Sequence, residues 1–298
     1  MSSTGLSVAA RREQIAQLAR VSGLASVEAL AARFAVTAST IRRDLGALAH
    51  SGHLARTYGG AIPLAHPGEP TLAERLGEAA AAKRAIARYG ASCVRPGESV
   101  LLDAGTTVGA LATELRLLDD LVVATTGLTA IEELAGHPTI RVECLGGTYR
   151  AVSKSFVGPL AESALEHLSF DRVFLGADGV RADRGICEAA LEQTRLKELM
   201  ARAGGAVVVL AHGDKIGRGA FHAWARLSPP WTLVTDESAD EKALATFERA
   251  GIETVVVDAQ GSARRRAGAP GTRIRRGAPP RAGGPARTGR HSTHSGAK

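Results

Sequence analysis

The sequence predicts an α/β chain with two domains, a small helical head followed by a larger domain of alternating strands and helices. The length of 298 residues suggests two domains, since one domain usually takes about 100–200 residues. Helical spacing of apolar residues dominates near the N-terminus, whereas short apolar strands alternate with helices from Ser99 onward. Pro63, Pro67, Gly68 and Pro70 lie between these two patterns and indicate a linker. We therefore expect a head over residues 1–62, a linker and connecting helix over 63–82, a second domain over 83–260 and a disordered basic tail over 261–298.

The composition excludes several classes of protein. Hydrophobic residues make up 45% and charged residues 22%, which is ordinary for a globular chain and argues against fibrous or wholly disordered proteins. No apolar run approaches the roughly 18 residues of a membrane span, and residues 1–10 do not resemble a secretory signal. Cys93, Cys144 and Cys187 are widely spaced, which excludes a disulfide framework or a paired-cysteine metal site. We expect a cytoplasmic protein without a metal, a cofactor or a membrane partner.

Charge is concentrated at the two ends of the chain. The net charge is +7, of which residues 1–62 carry +4 and residues 261–298 carry +10. The residues between them therefore carry −7. Basic ends around an acidic middle indicate that an anionic partner binds at the ends.

The head is predicted to contain three helices and a hairpin. Apolar spacing predicts helices over residues 8–21, 27–34 and 37–48, with Ser26 and Thr37 as N-caps. Residues 53–61 are predicted to form a short hairpin, and residues 71–89 a connecting helix.

This order of elements is that of a winged helix-turn-helix, in which the third helix enters the major groove of DNA. Residues at the start of that helix and on the hairpin could contact bases or phosphates: Thr37, Ser39, Thr40, Arg42, Arg43, Arg56 and Tyr58. A solvated helix with ordinary surface arginines is the alternative interpretation of the same pattern.

The second domain is predicted to form a mostly parallel sheet covered by helices on both faces. The predicted strands cover residues 100–103, 121–125, 140–145, 172–176, 206–210, 232–235 and 254–257. The predicted helices cover residues 108–115, 128–135, 159–168, 188–202 and 239–250. Ligands of such sheets bind in the loops beyond the carboxyl ends of the strands.

Several of these loops carry groups that suit a phosphorylated ligand. Gly105, Thr106 and Thr107 open a helix, where backbone N–H groups and hydroxyls can hold an anion. Asp178 could accept hydrogen bonds from sugar hydroxyls, and Lys215 could pair with a phosphate. Turns at 125–127 and 146–147 are further points of close approach. A plain helix cap is the alternative for each loop taken alone.

After Asp258 the chain is rich in Ala, Gly, Pro and Arg, with Ile274 as its only large apolar residue. Such a segment cannot bury a core, which predicts disorder. It is either a tail that binds nucleic acid or an extension without function, and the composition favours the second.

The head resembles the DeoR family of bacterial transcription regulators. The resemblance lies in residues 26–61, especially TIRRDL at 40–45 and GGA at 59–61. The second domain resembles the sensor domain of the same family through DAGTT at 103–107, LGGTYR at 145–150, FVGPLAE at 156–162, FLGADG at 174–179 and DKIGRGAF at 214–221.

This resemblance implies a Rossmann-like α/β sensor domain similar to sugar-phosphate isomerases and CoA-transferases. It implies an effector pocket for a phosphorylated sugar, formed by Asp103, Gly105, Thr106, Thr107, Thr126, Gly147, Asp178, Lys197 and Lys215. Two positions differ from the family pattern, because Thr126 replaces the usual Asn and His212 the usual Asp. These differences bear on which effector is bound.

The resemblance favours a transcriptional regulator, in particular a repressor of a carbohydrate catabolic operon. Such a repressor would bind double-stranded operator DNA as a homodimer or higher homo-oligomer. It would act at the nucleoid. One alternative is a sugar-phosphate isomerase or deaminase with an accessory DNA-binding head, since fold alone does not fix function. Asp103, Asp178 and Glu188 would then be the candidates for a general base, but we expect no catalytic residue and no enzyme. A constitutive DNA-binding protein, with the second domain only a dimerisation platform, is a third possibility.

Overall fold

A computed structural model describes residues 7–22, 25–50, 54–57, 60–63 and 69–266 of the chain. They form a head of three helices and a small sheet, two connecting helices and a large α/β domain. No helix in these ranges is long and apolar enough to cross a membrane.

The head has the order of elements expected of a winged helix-turn-helix. Its helices α1, α2 and α3 span Val8–Ser22, Val27–Phe34 and Ala38–His50. Its strands β1, β2 and β3 span Ala25–Ser26, Leu54–Thr57 and Gly60–Pro63 and pair antiparallel in the order β1-β3-β2. The predicted hairpin is therefore present, and the sequence did not reveal the two-residue strand β1 that extends it.

Caps and apolar contacts explain where the head helices begin and how they pack. The hydroxyl of Ser26 accepts a hydrogen bond from the N–H of Ala29 at 3.1 Å, and that of Thr37 accepts one from Thr40 at 3.2 Å. Both predicted caps are thus confirmed. The buried apolar residues of the head are Ile15, Val27, Leu30, Ile41, Leu45 and Leu48. Each contributes about 1.5–3 kcal/mol when fully buried, which holds the helices together.

Two helices follow the head, where the sequence predicted one. Helix α4 spans Leu72–Leu76 and α5 spans Ala80–Ser92. The prediction of a single helix over residues 71–89 was wrong, because Ala79 has a left-handed backbone with φ of 48° that interrupts it. Thr71 and Glu74 form a capping box at the start of α4.

The large domain is built on an eight-stranded sheet in the order β16-β15-β14-β12-β9-β4-β5-β6. These strands are β4 Ser99–Leu102, β5 Leu121–Thr125, β6 Ile140–Cys144, β9 Phe170–Leu175, β12 Gly204–Leu210, β14 Thr232–Asp236, β15 Glu253–Val257 and β16 Ala263–Arg266. All neighbours are parallel except β16, which runs antiparallel to β15. The seven predicted strands are confirmed, with ends shifted by up to two residues.

Helices cover both faces of this sheet. They are α6 Thr106–Leu115, α7 Leu128–Leu134, α8 Pro159–Glu166, α9 Leu191–Ala203 and α10 Glu241–Arg249. Alternation along the strands separates two cores: Val100 and Leu102 pack with α5, α6 and α7, whereas Leu101 packs with α8, α9 and α10.

The chain changes direction across the sheet between β4 and β9. From β4 it continues outward to β5 and β6, whereas from β9 it continues the opposite way to β12, β14 and β15. A crevice opens beyond the carboxyl ends of the strands at such a point, and ligands of doubly wound sheets bind there.

Five short strands accompany the large sheet and were not predicted. Strands β7 Thr148–Arg150 and β8 Ser155–Val157 form a hairpin. Strands β10 Gly179–Arg181, β11 Gly185–Glu188 and β13 Ala223–Ala225 form an antiparallel sheet. Glu188 therefore ends a strand, and the prediction that it begins a helix was wrong.

The start of the predicted disordered tail is ordered. Residues 263–266 form β16, which pairs with β15 along the edge of the large sheet. Arg264 and Arg266 pair with Glu241, Arg266 also with Glu248, and Arg265 with Glu253. The lack of large apolar residues predicted disorder, but the arginines of this segment provide partners for carboxylates at the edge of the sheet. Residues 267–298 lie outside the described ranges.

Candidate ligand pocket and candidate nucleic-acid interface

A pocket of about 390 Å³ lies beyond the carboxyl ends of β4 and β9. This is the point at which the chain changes direction across the sheet. Six residues predicted for the effector line it: Gly105, Thr106, Thr107, Asp178, Lys197 and Lys215. The fold thus brings together residues that are 110 positions apart in the printed sequence.

A buried charge cluster forms one wall of the pocket. Lys197 Nζ of α9 lies 2.5 Å from Asp103 Oδ2 and 2.8 Å from Glu188 Oε1, and it donates to the carbonyl of Gly176 at 2.8 Å. Asp103 Oδ2 also accepts the N–H of Gly176 at 3.0 Å. Asp103 and Lys197 therefore hold the end of β4 against the end of β9.

Burial and neighbouring charges shift the pKa values in this cluster. Burial, and to a smaller extent the Asp178 and Asp103 carboxylates, raise the pKa of Glu188 to about 8 against the opposing effect of Lys197. For Lys197, burial lowers the pKa, but the Asp103 and Glu188 carboxylates outweigh burial and raise it. Lys197 is therefore a permanent cation of the pocket, whereas Glu188 can take up a proton near neutral pH.

Other lining residues of the pocket present groups that can hold an anion. Helix α6 begins at Thr106, after Gly105 with φ of 121°, and no described side chain caps its first turn. Lys215 Nζ donates to the carbonyl of Ala177 at 2.5 Å, and no described carboxylate forms an ion pair with it. Burial lowers the pKa of Lys215, which indicates a poorly solvated ammonium group. An uncapped helix start beside such a cation is suited to a phosphate.

Arg75 of α4 completes the pocket. Its Nη1 lies 2.8 Å from Asp178 Oδ1, and both side chains are largely buried. Its Nε is also buried and has no hydrogen-bond partner among the described residues.

Helix α3 of the head carries four of the seven residues predicted to contact DNA, and Thr37 directly precedes it. Arg42 and Arg43 are exposed, as are Thr37 and Ser39, and Thr40 is half-buried. The hydroxyl of Thr37 lies 2.8 Å from that of Ser39 and 3.0 Å from that of Thr40. Arg56 belongs to β2, its side chain is not described, and Tyr58 lies outside the described residues.

Asp44 fixes α3 to α1. Its carboxylate accepts hydrogen bonds from Arg11 Nε at 2.7 Å and Arg12 Nε at 2.8 Å. Burial alone would raise the pKa of Asp44, but the two guanidinium groups outweigh it and hold the pKa below its usual value. The Asp44 carboxylate is therefore buried in the head, where Arg11 and Arg12 of α1 hold it.

Two family models match the chain. One, described as a DeoR-like helix-turn-helix domain, matches residues 11–65, and another, the DeoR C terminal sensor domain, matches residues 78–237. The chain belongs to the DeoR family of transcriptional regulators. The resemblance seen in the sequence is confirmed.

Curated relatives match this DeoR-family chain along most of their length. It is 32% identical to the HTH-type transcriptional regulator GlpR of Haloferax volcanii, over 83% of this chain and 97% of that protein. It is 31% identical to the transcriptional repressor AccR of Agrobacterium fabrum, over 76% and 88%. It is also 31% identical to the lactose phosphotransferase system repressor of Streptococcus mutans, over 78% and 93%.

Among solved structures, the ribose 5-phosphate isomerase A of Methanocaldococcus jannaschii matches with a TM-score of 0.33 and 17% identity. The match covers 45% of this chain and about half (52%) of that one.

Three of the residues predicted for the effector lie outside the lining of the pocket. Asp103 lies behind it and acts through Lys197 and Gly176. Thr126 is fully buried, and its hydroxyl has no hydrogen-bond partner among the described residues. Gly147 precedes β7, where an added Cβ would lie 2.6 Å from the carbonyl oxygen of Val157. Close backbone packing therefore explains this glycine.

Four lining residues with polar side chains were not among the residues predicted for the effector: Arg75, Ser153, Glu188 and Gln193. They come from α4, the turn between β7 and β8, the end of β11 and the first turn of α9. Only Glu188 had been considered, as a candidate base. No local spacing connects the others to the strand-end loops, so no signal in a single sequence identifies them.

Proposed function

We propose that this DeoR-family chain represses an operon for carbohydrate use and that a phosphorylated sugar controls its affinity for operator DNA. The observation that carries the proposal is the Lys215 ammonium, which lines the same pocket as the start of α6 and forms no ion pair with a described carboxylate, since Asp178 is paired with Arg75. A phosphoryl group supplies the missing negative charge.

Each part of the ligand has a matching group in the pocket. The phosphoryl group would lie against Lys215 and the N–H and hydroxyl groups of Thr106 and Thr107. Asp178 would accept hydrogen bonds from sugar hydroxyls, and Lys197 with Asp103 would hold the cavity in shape. Gly105 lets the backbone approach the ligand, while Thr126 and Gly147 would support the strand ends and not contact it.

The names of relatives support the proposal of a carbohydrate operon. One relative is the lactose phosphotransferase system repressor of Streptococcus mutans, and AccR of Agrobacterium fabrum is also named a repressor. We propose that this chain is also a repressor and that effector binding favours its release from DNA.

In the head, α3 would enter the major groove, with Arg42 and Arg43 reading bases or phosphates and Arg56 and Tyr58 on the wing. Thr37, Ser39 and Thr40 would contact DNA at the start of the helix, although Thr37 also serves as its cap. A homodimer or higher homo-oligomer would match two half-sites, and it would act in the cytoplasm at the nucleoid.

An enzyme remains the competing proposal, because the buried Glu188 carboxyl with its raised pKa has the chemistry of a general base. The regulator is favoured because the curated relatives named above are transcriptional regulators or repressors. Incubation of the purified protein with glucose 6-phosphate, fructose 6-phosphate and ribose 5-phosphate, followed by product analysis, decides between them. Turnover at enzyme-like rates of about 1 s⁻¹ or more would support the enzyme.

The central experiment compares Lys215→Ala with Lys242→Ala, an exposed lysine on α10. Thermal unfolding is measured with and without the same phosphosugars, because a ligand of the native state raises its apparent stability. DNA affinity is measured by fluorescence anisotropy on fragments from upstream of the chain's own gene and its neighbours. We expect Lys215→Ala to abolish the thermal shift while leaving DNA affinity unchanged, and Lys242→Ala to behave as wild type. An unchanged thermal shift in Lys215→Ala would refute the proposal that the phosphosugar binds in this pocket.

A second variant tests the head. Arg43→Ala should weaken operator binding by about 1–3 kcal/mol if Arg43 reads a base. Its thermal shift with phosphosugars should be that of wild type, because the pocket is untouched. Unchanged DNA affinity would remove Arg43 from the interface.

A further inference from the structure

The connecting segment between the two domains supplies one wall of the pocket. Arg75 lies on α4, and only five residues separate Glu69 from Pro63, the last residue of β3. These five residues can span about 20 Å at most. The segment over residues 69–76 therefore begins within about 20 Å of the end of β3.

Backbone and side-chain contacts fasten this segment to the large domain beside the pocket. Arg150 forms a two-point ion pair with Glu69, at 2.7 and 2.5 Å. The N–H of Leu72 donates to the carbonyl of Val152 at 2.8 Å, and Ser153, the next residue, lines the pocket. Lys83 Nζ donates to the carbonyl of Arg75 at 2.6 Å. The contacts of Glu69 and Leu72 join the connecting segment to residues close to Ser153, and that of Lys83 joins it to α5.

Arg75 uses only part of its hydrogen-bonding capacity. Nη1 binds Asp178, whereas the buried Nε has no described partner. A guanidinium group binds phosphate through two parallel hydrogen bonds, which a single contact with one carboxylate oxygen does not match. A phosphate in the pocket would therefore compete with Asp178 for Arg75.

The charges around Arg75 favour this exchange. Burial, and to a smaller extent the positive charges of Lys215 and Arg75, lower the pKa of Lys83 to about 8 against the opposing effect of Glu78. Three cationic side chains thus lie close together, with Asp178 as the carboxylate paired to Arg75. A dianion placed among them relieves their mutual repulsion.

We propose that Arg75 is the residue that couples the pocket to the head: it exchanges Asp178 for the phosphoryl group of the effector and so repositions α4. This inference rests on the proposed function, since it assigns the coupling to a residue of the same pocket. It goes beyond that function by placing the signal in one side chain of the connecting segment.

The test uses the full chain and three variants: Arg75→Gln, Asp178→Asn and, as the control, Arg84→Gln, which changes an exposed arginine on α5. The binding probe is inorganic phosphate. Because phosphate has no sugar hydroxyls, a contact between Asp178 and a sugar does not affect the measured affinity. We expect Arg75→Gln to weaken phosphate binding about tenfold. Asp178→Asn should tighten it several-fold, because it removes a competing carboxylate. Arg84→Gln should bind as wild type does.

The coupling is read separately from binding. Amide hydrogen exchange over residues 69–80 and operator affinity are measured with and without saturating glucose 6-phosphate or fructose 6-phosphate, whichever stabilises the wild-type protein. In wild type we expect both readouts to change. In Arg75→Gln we expect the phosphosugar still to raise the unfolding temperature at saturation, without a change in exchange or in DNA affinity.

The outcomes separate this inference from the proposed function. If Arg75→Gln binds the phosphosugar and its operator affinity still responds as in wild type, Arg75 is not the coupling residue and the proposed function stands. If wild type neither binds a phosphosugar nor changes its DNA affinity, the proposed function fails and the inference with it. An equal phosphate affinity in wild type, Arg75→Gln and Asp178→Asn would also overturn the inference.

Discussion

Two buried charged groups, Asp44 in the head and Lys197 in the pocket, are each held by two groups of opposite sign. Removing one partner of a buried ion pair leaves an uncompensated charge, which costs more than the pair itself contributes. Both residues therefore fix the position of neighbouring elements: Asp44 joins α3 to α1, and Lys197 joins the ends of β4 and β9 through Asp103 and Gly176.

Asp44→Asn should destabilise the head by about 3 kcal/mol, because Arg11 and Arg12 lose their common carboxylate. Because the pKa of Asp44 is lowered, this contribution is present at neutral pH and is lost as the pH falls through that pKa. Urea unfolding and operator binding report the loss. Glu28→Gln, which changes an exposed carboxylate on α2, is the control. Equal stability of the two variants at neutral pH would show that Asp44 does not hold α3.

Effector affinity should fall as the pH rises through about 8. Both Lys83 and Glu188 have a pKa of about 8, and raising the pH neutralises the first and ionises the second. Both changes make the pocket more negative and so disfavour the binding of an anion. The ligand itself does not change charge in this range, because a phosphate monoester has a second pKa of about 6 and is already a dianion. Calorimetric titration of glucose 6-phosphate should show weakening affinity and proton uptake near pH 8. Lys83→Met should reduce that uptake, and a flat pH profile in wild type would contradict the assignment.

At the scale of elements, β16 converts an exposed strand edge into a paired one. The edge of β15 would otherwise present unpaired backbone groups, which promote association with other chains. Arginines of β16 and α10 carboxylates add ion pairs along this edge. The short strand therefore stabilises and protects the sheet.

Truncation after Gly261 should lower the unfolding temperature and promote self-association, because it removes β16 with its ladder and ion pairs. Truncation after Arg266, which keeps β16, should unfold as the full chain does. Thermal unfolding and light scattering distinguish the two. If the chain of 261 residues is as stable and monodisperse as the chain of 266 residues, β16 has no structural role.

Elements with regular periodicity were predictable from the sequence, whereas short elements were not. The seven apolar strands of the large sheet follow their predicted positions. Strands of three residues, such as β7 and β10, are too short for alternation to show. The break between α4 and α5 was missed because alanine-rich sequence favours helix on both sides of it.

From the chemistry of the residues, the pocket was predictable only where its residues belong to strand-end loops, whereas Lys197 of α9 was expected from the family resemblance. Thr106 and Lys215 lie in such loops, and their chemistry indicates an anion. Arg75 reaches Asp178 across 103 positions, from a segment that the sequence identified only as a linker and connecting helix. Contacts over such distances depend on how the connecting segment packs, which the chemistry of neighbouring residues does not reveal.

For the whole molecule, a single equilibrium between two arrangements would link the pocket to DNA. An effector can shift it only by its difference in affinity for the two states, typically about 1–3 kcal/mol. This linkage is reciprocal, so DNA must change effector affinity by the same factor.

We therefore expect operator DNA at saturation to weaken phosphosugar binding by the factor by which the phosphosugar weakens operator binding. Titration of the phosphosugar into free and operator-bound protein gives one factor, and anisotropy with and without the phosphosugar gives the other. Lys215→Ala should remove both effects. Unequal factors would show that the two ligands do not act on one equilibrium.

With β16 in place, β6 forms the other rim of the eight-stranded sheet. Its outward-facing ladder groups are unpaired within the described part of the chain, and Arg141 and Glu143 lie on it, joined by a 2.6 Å ion pair. Charged side chains on a rim discourage indiscriminate strand addition. If two copies share a continuous sheet, they would therefore meet along β6 or β16, with their charges matched across the junction, and not along β15.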